Sequence, residues 1–117
     1  MFENLGVYQK AIDFADKTMR LAETFPRGYY YLSDQLNRAA LSIATNIAEG
    51  NGRFTKADRK HFFVIARGSV QECVPLLELA NRRGLIDKTM HNQSREELET
   101  LAKMLSGLIK GIENREK

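Results

Sequence analysis

Apolar residues return at spacings of three and four along most of the chain, the signature of amphipathic helices rather than strands. Tyr8, Ala11, Ile12, Ala15, Met19 and Ala22 predict a first helix that ends near Phe25-Pro26-Arg27-Gly28. A second is predicted from Ser33, a good N-cap, through Leu36, Ala40, Ile43 and Ile47 to Gly50, with Gly50 and Gly52 read as the positive-φ residues that stop it. Thr55 with Asp58 three residues on is a capping-box variant that opens a third helix, whose face is read as Phe62, Ala66, Ser69, Cys73, Leu77 and Ala80 and whose C-cap is read as Gly84. Pro75 predicts a kink in it rather than a break, because the apolar face continues in phase beyond the proline. Ser94 and Glu97 form a capping box ahead of Leu98, Leu101, Ala102, Leu105, Leu108, Ile109 and Ile112, which gives a fourth helix that Gly107 and Gly111 weaken. Short connections make neighbouring helices antiparallel, so the expected fold is all-α, an up-down-up-down four-helix bundle in one domain over residues 1–117. The tail from Glu113 to Lys117 is too polar to pack and is expected to fray.

Phe63, Val70 and Val74 lie about 60° to 100° away from the stripe assigned to the third helix. One face of a thin bundle cannot bury both sets, so these three are candidates for an oligomer interface.

Charge changes the picture only once it is located. The net charge of +3 is modest, but residues 53–88 hold eight basic and four acidic groups, and the segments on either side are balanced or slightly acidic. On the third helix Lys56, Lys60 and Arg67 fall within about 40° of one another, with Phe63 among them and Arg59 beside. Arg53 extends the row into the preceding loop, and Arg82 and Arg83 add charge at the far end. Such a row attracts phosphates through counterion release, and an aromatic within it could stack on an unpaired base. Arg53, Lys56, Arg59, Lys60, Phe63 and Arg67 are therefore the candidate nucleic-acid contacts. The competing reading is an ordinary solvated face, with Phe63, Val70 and Val74 as an apolar edge.

Enzymatic candidates are poor. A di-iron bundle needs two Glu-x-x-His pairs, and this chain offers one Asp58-x-x-His61 at a helix start. His91 falls in a loop by this reading, Cys73 falls on the core face, and Gly50-Asn51-Gly52-Arg53 lacks the lysine and hydroxyl of a phosphate loop. The expectation is no catalysis, no metal and no cofactor. A single cysteine, no leader-like start and no apolar run of about 18 residues point to a reducing cytoplasm and to no membrane partner.

Residues 42–53, SIATNIAEGNGR, combine a polar pattern with a helix stop. Glu49 in the last turn opposes the helix dipole and so needs a partner; Arg38, on the same face, is three turns back, which favours a neighbouring helix or subunit. Asn46, Glu49 and Gly50 are taken as a structural motif, a ligand or RNA contact at this corner being the alternative. Together with LGVYQKA at Leu5–Ala11, LSDQLNRAALSIATNIAEG at Leu32–Gly50 and ARGSVQE at Ala66–Glu72, this run resembles the 23S rRNA-intervening-sequence proteins over roughly residues 5–112. Gly6 stands where that family usually has Trp, and Ala44-Thr45 replaces a common Pro-Ala. The resemblance implies a small bacterial cytoplasmic four-helix bundle. Relatives that serve diversity-generating retroelements form pentameric barrels that bind nucleic acid and a reverse transcriptase, so the implied partners are nucleic acid, further copies of the chain and a polymerase. The function expected here is a nucleic-acid-binding adaptor; the alternative is an oligomeric protein-interaction scaffold.

Overall fold

The computed structural model describes residues 2–115, with side chains from Leu5 onward. Four helices follow one another: α1 (Phe2–Ala22), α2 (Tyr30–Asn51), α3 (Lys56–Arg82) and α4 (Lys88–Arg115). Helix α2 packs on α3, α3 on α4, and α1 on both α2 and α4. Ser42 meets Ser69 and Gly50 meets Phe63 across α2 and α3. Lys56, Lys60 and Arg67 reach Arg115, Glu113 and Ser106 across α3 and α4. Lys17 reaches Glu97, and Gly6 lies beside Met104, across α1 and α4. Within each of these pairs one number rises as the other falls, contacts consistent with antiparallel neighbours. The extents of 49 × 21 × 20 Å suit a rod of such helices, since 28 residues of α4 span about 42 Å.

Local chemistry explains most boundaries. Pro26 follows the end of α1, and a 3-10 turn at Arg27–Tyr29, closed by Tyr29 N–H donating to Pro26 O, runs directly into α2. Helix α2 therefore starts at Tyr30, and Ser33 lies inside it rather than capping it. Thr55 does cap α3: its Oγ1 accepts from Asp58 N–H at 3.1 Å. Replacing Thr55 with Ala should cost about 1 kcal/mol, read as a lower denaturation midpoint with unchanged slope. Helix α3 continues through Pro75 and ends in a Schellman arrangement, in which Leu85 N–H donates to Ala80 O, Gly84 N–H donates to Asn81 O, and Gly84 takes φ 74°.

Helix α4 begins well before the Ser94 box. Asp87 Oδ1 accepts from Met90 N–H at 2.8 Å and opens the helix at Lys88, while Ser94 is buried inside it and Glu97 pairs with Lys17. His91 is accordingly helical. At the other end α4 stays helical to Arg115, held by the contacts of Glu113 and the Arg115 carbonyl, so fraying does not begin at Glu113. Glu116 and Lys117 lie outside the described residues.

The core is assembled from Val7, Ala11, Phe14 and Ala15 of α1, Leu36, Ile43 and Ile47 of α2, Phe63, Val70 and Leu77 of α3, and Leu98, Leu101, Leu105 and Ile109 of α4. Ala39, Ala40 and Ala44 let the neighbours approach α2 closely. Ile12 and Met19 sit at the exposed edge of α1, and Ala48 faces outward on α2. Burial pushes the Cys73 thiol up to about 12, with Glu72 adding to the effect, so it packs as a small apolar group. No helix among the described residues is long and apolar enough to cross a membrane.

Candidate nucleic-acid interface

The α2–α3 corner is built by backbone closure. Gly52 N–H bonds to the carbonyls of Ala48 and Glu49, and Arg53 N–H bonds to Gly50 O, so the chain leaves α2 in a fixed direction before Thr55 starts α3. Neither Gly50 nor Gly52 has positive φ; among the described residues only Gly84 does. Gly50 is instead required for space. A Cβ there would sit 2.6 Å from Phe63 Cε1, inside any tolerable contact.

That contact corrects the expected role of Phe63. Its side chain is 0% exposed, so it offers no face to a base or to another subunit. Val70, at 2% exposed, is withdrawn for the same reason, whereas Val74, at 38%, stays accessible beside a shallow hollow between α3 and α4 lined with Arg95, Leu98 and Ala102. The buried face of α3 runs Phe63, Ala66, Val70, Cys73, Leu77 and Ala80, one position away from the sequence reading at Phe62 and Ser69. Phe62 is half-buried; His61 meets its ring edge-on at 5.3 Å between centroids, and the Arg53 guanidinium lies 4.7 Å above it.

Glu49 finds its partner one turn ahead rather than on another helix. Arg53 Nη2 donates to Glu49 Oε2 at 2.8 Å, which relieves the unfavourable charge at the α2 C-terminus. Asn46 Nδ2 donates to Ser42 O at 2.8 Å and to Ser42 Oγ at 3.0 Å. Ser69 Oγ donates to Ile65 O, which leaves the Ser42 hydroxyl to donate to Ser69 across 2.8 Å. A short polar chain thus ties α2 to α3 through the motif.

Three basic residues of α3 reach α4. Lys60 Nζ pairs with Glu113 at 2.9 Å, Lys56 Nζ donates to Arg115 O at 3.2 Å, and Arg67 Nη1 donates to Ser106 Oγ at 3.3 Å. Arg59 Nε is buried without a hydrogen-bond partner among the described residues. Two cations, Arg53 and Lys60, are therefore matched by carboxylates, while Lys56, Arg59 and Arg67 meet none among the described residues. Ion pairing partly offsets the row but leaves it positive. Among the described residues no cluster of His, Cys, Asp and Glu could hold a metal ion.

The family pattern described as "23S rRNA-intervening sequence protein" matches residues 3–107, which takes in α1, the α2–α3 corner, all of α3 and most of α4. The chain belongs to the 23S rRNA-intervening sequence protein family. A crystal structure of a protein of unknown function from the S23 ribosomal protein family of Bacteroides thetaiotaomicron has the same fold, with a TM-score of 0.86 at 24% identity over 92% of this chain and 98% of that one. No curated protein matches the chain.

In this member of the 23S rRNA-intervening sequence protein family the sequence reading passed over the most exposed aromatic among the described residues. Phe54, between Arg53 and Thr55, is 102% exposed. It belongs to no helical repeat, and that signal was available from the sequence: a large aromatic between a helix stop and the next N-cap has no periodic partner to bury it.

Proposed function

We propose that the chain is a non-enzymatic nucleic-acid-binding adaptor, an up-down-up-down antiparallel bundle that holds RNA or structured DNA by charge and shape along α3. The observation that carries this reading is the set of three cations, Lys56, Arg59 and Arg67, without a carboxylate partner among the described residues. Their charge is available to phosphates, and Arg53 and Lys60 can exchange their carboxylate partners for phosphate at some cost. Membership of the family, whose name refers to 23S rRNA, is a second support for the reading. The reading places the protein in the bacterial cytoplasm, as a homo-oligomer whose pentameric form rests on the family resemblance.

The test is binding of fluorescent RNA and DNA across a salt series. The triple variant K56E/R59E/R67E should abolish binding at moderate salt and lower the salt slope by about 0.7 to 0.9 for each phosphate the protein no longer neutralises, with the helical content intact. Unchanged affinity would sink the assignment.

A second reading, an oligomeric scaffold with a protein partner such as a reverse transcriptase, is favoured by a different observation. Tyr31 and Leu41 of α2 and Ile65 and Leu79 of α3 are exposed large apolar side chains. Both readings expect an oligomer, so the binding series separates them: a scaffold would assemble in the same buffers without binding any nucleic acid.

A further inference from the structure

We infer that Phe54 is a stacking platform for an unpaired nucleobase, so that the α2–α3 corner selects single-stranded or looped nucleic acid over uninterrupted duplex. The inference rests on the nucleic-acid reading of the basic row and adds to it a residue and a ligand class.

Folding gains nothing from this side chain where it stands. Burying a phenylalanine is worth about 1.5 to 3 kcal/mol, and Phe54, at 102% exposed, forgoes that gain. Its position makes the exposure informative. Phe54 directly precedes the Thr55 N-cap, where an apolar residue commonly packs against the fourth residue of the helix as a staple. Here that residue is Arg59, and the full exposure of Phe54 shows that no staple forms.

The backbone that presents Phe54 is held on both sides. Arg53 N–H bonds to Gly50 O, and Thr55 Oγ1 accepts from Asp58 N–H. An aromatic carried on a fixed backbone loses little conformational freedom when a flat partner lands on it. Its surroundings specify the partner. Arg53 precedes it, Lys56 follows two residues later, and Arg59 completes the first turn of α3, so cations that attract a phosphate backbone flank Phe54 along the chain. A π-face amid cations is what binds single strands without sequence preference. A base paired in duplex stacks on both faces and offers none to Phe54. The neighbouring Phe62 ring cannot serve, because it is half-buried and covered by the Arg53 guanidinium.

The experiment compares wild-type protein, F54A and F54W on a fluorescent single strand of about 20 nucleotides and on the duplex of the same sequence, across a salt series, with solution mass measured in parallel. The expected result is a loss of about 5- to 100-fold for F54A on the single strand, recovery in F54W, little change on duplex, and an unchanged salt slope. Because Phe54 is fully exposed, thermal unfolding of both variants should match wild type. Equal single-strand affinity of F54A and wild type would overturn the inference while leaving the basic row intact, provided K56E/R59E/R67E still abolishes binding. An equal loss on single strand and duplex overturns the selectivity. A drop in oligomer mass in F54A overturns the inference in favour of a contact with a second copy of this chain. Absence of binding by the wild type to either probe at low salt overturns both the inference and the function it rests on.

Discussion

Replacing Phe63 with Ala should lower the unfolding free energy by about 3 to 5 kcal/mol, a large part of the roughly 5 to 15 kcal/mol available to a domain of this size. The loss has two sources. The ring is fully buried, so its transfer free energy is forfeited, and it fills the space beside Gly50, where no side chain from α2 can expand to close the cavity. Denaturant unfolding checks it as a lower midpoint with an unchanged slope. The same variant separates the two roles that the sequence leaves open for this residue. A surface aromatic would change stability by no more than about 0.5 kcal/mol and act only on binding. A Phe63→Ala protein with wild-type stability and weakened nucleic-acid affinity would therefore refute the core placement and restore the exposed stripe.

The ambiguity at Phe63 shows why some of the architecture was legible in the sequence and some was not. Features set by near neighbours were readable: the Thr55 cap and the Gly84 stop each depend on residues within one turn. The phase of α3 was not, because two apolar faces share Ala66, Cys73, Leu77 and Ala80 and differ only in taking Phe62 with Ser69 or Phe63 with Val70. Periodicity accepts both. What decides is tertiary: Gly50 opens a slot on α2 that Phe63 fills, and Ser69 turns its hydroxyl to Ser42. The Ser94 box failed for a related reason. Asp87, immediately before Lys88, already supplies the cap, and a mid-helix serine followed by Glu97 is indistinguishable in sequence from a cap. The basic row illustrates the limit for the site itself. Spacing alone aligned Lys56, Lys60 and Arg67, but only the packing of α4 beside α3 shows that Glu113 pairs with one of these cations while the other two meet the neutral Arg115 carbonyl and Ser106 hydroxyl.

Gly50→Ala should destabilise the protein by about 1 to 3 kcal/mol, the reverse of what glycine replacement does in an ordinary helix. Gly50 lies within α2 without positive φ, so the backbone accepts alanine and helix propensity alone would favour it by about 0.5 to 1 kcal/mol. Sterics outweigh that gain. The added methyl would stand 2.6, 2.9 and 3.2 Å from Cε1, Cδ1 and Cζ of Phe63, a ring with no solvent to move into. Gly52→Ala is the internal control, because its Cβ would meet nothing nearer than the carbonyls of Ala48 and Glu49 at 3.7 Å. A turn glycine and a space glycine both resist substitution, and the double variant G50A/F63L tells them apart. Leucine lacks the outer ring atoms that collide, so the two changes should be less harmful together than the sum of each alone, with a coupling of about 0.5 to 3 kcal/mol. Strict additivity would mean that the two residues do not touch, and that the glycine of this motif serves the backbone after all.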